Sequence, residues 1–115
     1  MVVNDLRSAL EVLRQMDGQL VETDIEVDPE AELAGVYRHV GAGGTVMRPT
    51  KIDGPAMIFN NIKNHKDARV LIGLLASRER VAKLMDCRKE ELGKLLCRAA
   101  LNPIEPVVSE EKAPC

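Results

Sequence analysis

Residues 41–54, GAGGTVMRPTKIDG, set a glycine cluster beside two cations, Arg48 and Lys51, which flank Pro49. A guanidinium and an ammonium at that spacing could grip an anion, because arginine meets a carboxylate through two parallel hydrogen bonds. Arg48 and Lys51 are therefore the anion-contact candidates of the chain, although loop cations are more often simply solvated. The glycines do not add a phosphate cradle. Phosphate loops run strand, glycines, helix, so that the phosphate meets the N-terminal end of the helix dipole. Here Gly41, Gly43 and Gly44 follow a helical pattern and precede a strand-like run, and no Gly-Lys-Ser/Thr follows. They read as a helix C-cap and a connection.

Other reactive side chains are scattered. His39 and His65 have no acidic partner at metal-ligand spacing, and neither sits beside a nucleophile. His39 falls near a helix C-terminus, where the dipole favours a cation. His65 lies in the polar turn KNHKD. Asn60 and Asn61 could recognise a ligand through their side-chain amides, but at the end of an apolar run they read first as a turn bonded to local backbone. Cys87, Cys97 and Cys115 match neither a zinc spacing nor a disulfide framework. SRERVAK, residues 77–83, reads as a solvated charged helix face. No catalytic, cofactor-binding or metal-binding residue is assigned.

The elements that would position these groups follow from periodicity. Asn4 or Asp5 caps a first helix, with Leu6, Leu10 and Leu13 on one face and Gly18 as its C-terminal stop. QLVETDIEV is strand-like. In VDPEAEL, Asp28 suits the N-cap and Pro29 the first helical position, and Gly41 ends that helix. AMIFNNI and RVLIGLLA read as buried strands. Ser77 caps a further helix, and a last one covers about 89–100 with Leu92, Leu95, Leu96 and Ala99 on one side. The three prolines of NPIEPVVSEEKAPC favour an extended segment. The predicted order is helix, strand, helix, strand, strand, helix, helix, extended tail: a small α/β domain, with α+β possible, whose helices pack on a short sheet.

At 115 residues there is room for one domain. One Tyr, one Phe and no Trp leave little to stack on nucleobases, and a net charge of -2 disfavours general binding to a phosphate backbone. No apolar run approaches the roughly 20 residues that span a bilayer. The N-terminus does not resemble a signal peptide. The expected setting is cytoplasmic and reducing, with no nucleic-acid or membrane partner.

The ordered set NDLRSALEVLRQMDGQLVETDIEVDPEAELAGVYRHV, GPAMIFNNIKNH, VLIGLLASRERVAKLMDCRKEEL and PIEPVVSEEKAPC resembles the N-terminal region of UbiD-type decarboxylases. VYRHVGAGGTVMRPTKIDGPAMIFNNIK is most similar to the branch acting on hydroxybenzoates such as protocatechuate and gallate. The resemblance implies an N-terminal α/β domain over residues 1–102. It also implies a proline-rich crossing segment, 103–115, leading toward a central split-barrel domain. In that family the barrel carries prenylated FMN, a divalent metal (manganese or magnesium), potassium and the catalytic Glu-Arg-Glu set. A C-terminal element there supports oligomers, so a homo-oligomer is possible. The chain is then expected to be an N-terminal piece of a carboxy-lyase, inactive alone, with the rest of that enzyme as its partner. Two other readings stay open. One is a stand-alone interaction or regulatory module derived from such an enzyme. The other is a small independent enzyme using Arg48, Lys51 or a histidine on an anionic substrate.

Overall fold

A computed structural model describes residues 2–43 and 53–112. Arg48, Lys51, Gly44 and Cys115 lie outside the described residues. The elements are α1 (Leu6–Arg14), β1 (Leu20–Thr23), α2 (Glu32–Ala42), β2 (Ala56–Phe59), β3 (Val70–Ile72), α3 (Arg78–Leu84) and α4 (Leu92–Leu101), in the predicted order.

Among the described residues three strands form one mixed sheet ordered β1-β2-β3. β1 and β2 run parallel, Leu20 opposite Ala56 and Thr23 opposite Phe59, so α2 serves as their crossover. β3 returns antiparallel, with Met57 opposite Ile72 and Phe59 opposite Val70. Every residue of β2 is buried. Alternation puts Met57 and Phe59 on one face, where they join Val27, Leu33 and Ile62, with Tyr37, Val40, Val70 and Ile72 packed around them. Ala56 and Ile58 point the other way and are buried too, so the central strand is covered on both faces. That explains its unbroken apolar run.

The helix starts show where local signals hold. Asp5 caps α1: its carboxylate accepts from Ser8 N at 2.8 Å, and Ser8 Oγ accepts from Asp5 N at 3.1 Å. The buried face of α1 is Ala9, Val12 and Leu13, whereas Leu6 is exposed. Its C-cap is Gln15, and Gly18, with φ +68, shapes the turn that follows. α2 begins later than Asp28-Pro29 implies. Ala31 takes φ 63 at the N-cap, which a helix cannot continue through, so the Asp28–Glu30 turn stays outside. Asp28 still organises that turn. Its carboxylate accepts from Glu30 N at 2.9 Å, and Glu32 Oε2 accepts from Asp28 N at 2.6 Å. The helix runs one residue past Gly41, and Gly43 closes it with φ 84.

The second predicted buried strand is corrected in extent and burial: β3 has three half-buried residues, because Gly73 turns away at φ +77. α4 starts at Leu92 rather than near residue 89. On its expected apolar face Leu92 is buried and Leu95 half-buried, but Leu96 and Ala99 are exposed. After Asn102 the described chain has no regular element, and residues 103–112 are all exposed.

Candidate functional site

The most heavily bonded polar group among the described residues is one that the helical charge pattern assigns to solvent. Arg80, in SRERVAK, is 0% exposed. Ser77 starts α3 by accepting from Arg80 N at 3.3 Å, which turns the Arg80 side chain inward one turn along the helix. The guanidinium then donates four hydrogen bonds. Nε reaches Leu74 O at 2.8 Å, Nη2 reaches Gly73 O at 2.7 Å, and Nη1 is shared between Gln19 Oε1 at 2.8 Å and Gly54 O at 3.1 Å. These acceptors come from the turn before β1, the approach to β2 and the turn after β3. One cation thus ties the three strand junctions to α3.

Burial lowers the proton affinity of Arg80 from its ordinary value, and the nearby Tyr37 and Asp53 partly offset that. The guanidinium stays charged, since arginine begins far above neutrality. Ser77 is fully buried and donates to Asp53 Oδ1 at 3.0 Å, pinning the residue beside Gly54. Glycines allow the backbones to close in. A Cβ on Gly54 would overlap the carbonyl of Gly41, and one on Gly41 would lie 2.5 Å from the Tyr37 ring. Gly73 also abuts Tyr37. The ends of α2 and the entry to β2 are therefore clamped together, with the Tyr37 ring as the packing block.

The chemistry of this node is structural. Its cation is spent on neutral carbonyl and amide oxygens, and the Ser77 hydroxyl beside it is spent on the Asp53 carboxylate. Asn60 and Asn61 do not bond local backbone as expected. Their side-chain amides donate to Asp24, Asn60 to Oδ1 at 3.0 Å and Asn61 to O at 3.2 Å, holding the ends of β1 and β2 together. His39 lies exposed in the last turn of α2, and His65 lies in an exposed turn bonded through its backbone to Ile62. The two histidines share no site. Lys63 pairs with Asp28 at 3.1 Å on the surface, which raises the lysine, while the Glu30 N–H and then Lys63 lower the carboxyl.

Cys87 and Cys97 do meet in one place. Both line a cavity of about 730 Å³ between the end of α3 and α4, with Met85, Leu95, Lys94 and Arg98. Among the described residues no three His, Cys, Asp or Glu side chains are placed to hold a metal ion. None of the described helices is long and apolar enough to cross a membrane. Local pattern carries no sign of Arg80's role, because three of its four acceptors are backbone carbonyls, which no residue type reveals.

Comparison with known proteins assigns this architecture. Residues 11–100 match the family model for the N-terminal domain of 3-octaprenyl-4-hydroxybenzoate carboxy-lyase. The gallate decarboxylase of Lactiplantibacillus plantarum is 52% identical over 111 residues, which are 96% of this chain and 22% of that protein. A phenolic acid decarboxylase of Sedimentibacter hydroxybenzoicus is 32% identical over 120 residues, 99% of this chain and 23% of its own length. The apo 3,4-dihydroxybenzoic acid decarboxylase of Enterobacter cloacae superposes with a TM-score of 0.82 at 52% identity, over 95% of this chain and 22% of that one. Its Klebsiella pneumoniae counterpart gives 0.80 at 54% identity, over 90% and 21%. The chain spans about a fifth of the length of the relatives it matches. It belongs to the UbiD N-terminal domain family.

Proposed function

We propose that residues 1–102 are the N-terminal α/β domain, and 103–115 the crossing segment, of a non-oxidative hydroxyarylic acid decarboxylase. The substrate class is a hydroxybenzoate such as gallate or 3,4-dihydroxybenzoate. The observation that carries this is 52% identity to gallate decarboxylase sustained over 96% of the chain. Its partner is the rest of that enzyme, assembled in the cytoplasm, with homo-oligomers possible. The comparisons lend no support to a stand-alone regulatory module.

Prenylated FMN with a divalent metal and potassium is the cofactor set proposed for the full-length enzyme. The described residues of this chain do not fit that group. An aromatic ring to stack on and a buried cation for its phosphate are the groups the described core could offer a flavin. Phe59 is sealed in the core, Tyr37 is wedged against Gly41 and Gly73, and the buried cation Arg80 is already spent on carbonyls. No step of the reaction is therefore placed on this domain, whose part is to fold and to be packed against.

The test grafts this chain in place of the matching region of the L. plantarum gallate decarboxylase and follows carbon dioxide release from gallate and 3,4-dihydroxybenzoate. The expected result is turnover near the parent's from the graft and none from the 115-residue chain. A folded graft with no turnover would sink the reading. Arg48 and Lys51 remain anion-contact candidates only. In the graft, Arg48→Ala is expected to lower turnover less than about tenfold, the size of one charge-assisted contact. A larger loss at unchanged melting temperature would give the residue a place at the substrate.

A further inference from the structure

α4 and the segment after it are the least covered part of the described chain. In α4 Leu92 is buried, but Leu96 and Leu101 are exposed, and Ile104, Val107 and Val108 are 94%, 95% and 88% exposed. Other exposed aliphatic residues, such as Ile25 and Leu75, stand singly in loops. Scattered apolar residues are ordinary on a protein surface, whereas a run of them marks something that binds. The cavity beside α4 adds Met85, Leu95 and Cys97 to the same helix's surroundings. Pro103 and Pro106 lack N–H groups, so this segment cannot be covered by full strand pairing. Side-chain packing against another apolar surface is what remains.

We infer that α4 and residues 101–108 form the seat for the polypeptide that follows the matched region in the full-length decarboxylase. This rests on the functional reading above. The relatives supply that occupant: the chain spans 22% of gallate decarboxylase, so most of that protein's length lies outside the match. A surface tethered directly to residues 101–108 also meets them at a high effective concentration, which a free second copy does not. The seat consists of Leu96, Leu101, Ile104, Val107 and Val108, with Cys97 beside them.

Cys97 is exposed and reports on the seat directly. In the graft described above and in the 115-residue chain, N-ethylmaleimide labelling is followed peptide by peptide. Cys97 is expected to label at least about tenfold more slowly in the graft. Equal rates overturn the inference, even if the graft turns over. Protection in an inactive graft upholds the seat while the functional reading fails. Protection that appears in the 115-residue chain as its concentration rises assigns the face to a second copy and overturns the inference, as does a graft that fails to fold when both parents fold. Leu96→Asp with Val107→Asp is expected to lower the graft's melting temperature and leave the isolated chain's unmoved. Ile25→Asp should not discriminate between the two. A Leu96/Val107 pair that behaves like Ile25→Asp overturns the assignment of these residues.

Discussion

Replacing Arg80 with alanine removes a buried cation and four hydrogen bonds at once. Hydrogen bonds to a charged group contribute roughly 1.5–3 kcal/mol each, so the gross loss is on the order of 6–12 kcal/mol. Two effects offset it. The folded state no longer bears the desolvation of a guanidinium, which itself costs several kcal/mol. Water that enters the vacated polar space restores part of the bonding of the freed carbonyls of Gly54, Gly73 and Leu74. The expected net loss is about 3–5 kcal/mol, a large part of the 5–15 kcal/mol that holds a domain folded. In melting temperature that is a fall of at least about 12 °C. Arg80→Lys keeps the charge but presents one compact ammonium where a planar fork spans several acceptors, so it should recover only part of the loss. Arg78→Ala, exposed on the same helix, should stay within about 0.5 kcal/mol of wild type. The assay is urea unfolding of the three variants, compared at constant slope. An Arg80→Ala loss under about 1 kcal/mol, or one matched by Arg78→Ala, would refute the view that this side chain braces the strand junctions.

Ser77→Ala removes both the α3 cap and the hold on Asp53 from a fully buried site, and unfolding curves should show a loss of about 1–2 kcal/mol. Two glycine substitutions should have opposite signs. Gly54→Ala drives a methyl group into the Gly41 backbone and should cost about 1–3 kcal/mol, whereas Gly35→Ala, in open space within α2, should stabilise by about 0.4–1 kcal/mol. Equal effects in thermal melts would contradict the clamp. The backbone N–H of Ser8 holds Asp5 below the usual carboxylate range. The N–H of Glu30, then Lys63, does the same for Asp28. A depressed folded value means stability present above the unfolded value near pH 4 and lost as pH falls through the folded values. Asp5→Ala combined with Asp28→Asn should therefore lower stability at neutral pH and flatten its decline below about pH 4. A decline as steep as the wild type's would show that these two carboxyls do not drive it.

What could be read in advance was whatever depends on neighbours in sequence. The Asp5 and Ser77 caps, the apolar run of β2 and the order of elements all rest on side chains acting within a turn or along a strand. What escaped depends on residues far apart in sequence. Nothing near Ala31 announces its positive-φ turn, which delays α2 past Asp28 and Pro29. Asn60 and Asn61 find Asp24 only because β1 and β2 lie side by side. α4 carries a helical apolar pattern, yet little of the described chain covers it, since periodicity says which face wants burial and not what buries it.

Arg80 shows the same limit most sharply, and it bears on function. A lone arginine among charges is correctly expected at the surface, because burying a cation without partners is prohibitive. The partners that make burial tolerable are carbonyls at Gly54, Gly73 and Leu74 and the amide of Gln19, up to 61 residues away. They converge only after the sheet has formed, so the brace is a product of the fold and also its lock. It consumes the one buried cation described and fixes the entry to β2. It leaves α4 and the proline-rich segment as the surface still open to a partner. Among the described residues this brace supplies geometry rather than chemistry. That is the division of labour expected if the reacting groups of the decarboxylase reside in the part of the polypeptide that α4 and residues 101–108 are shaped to receive.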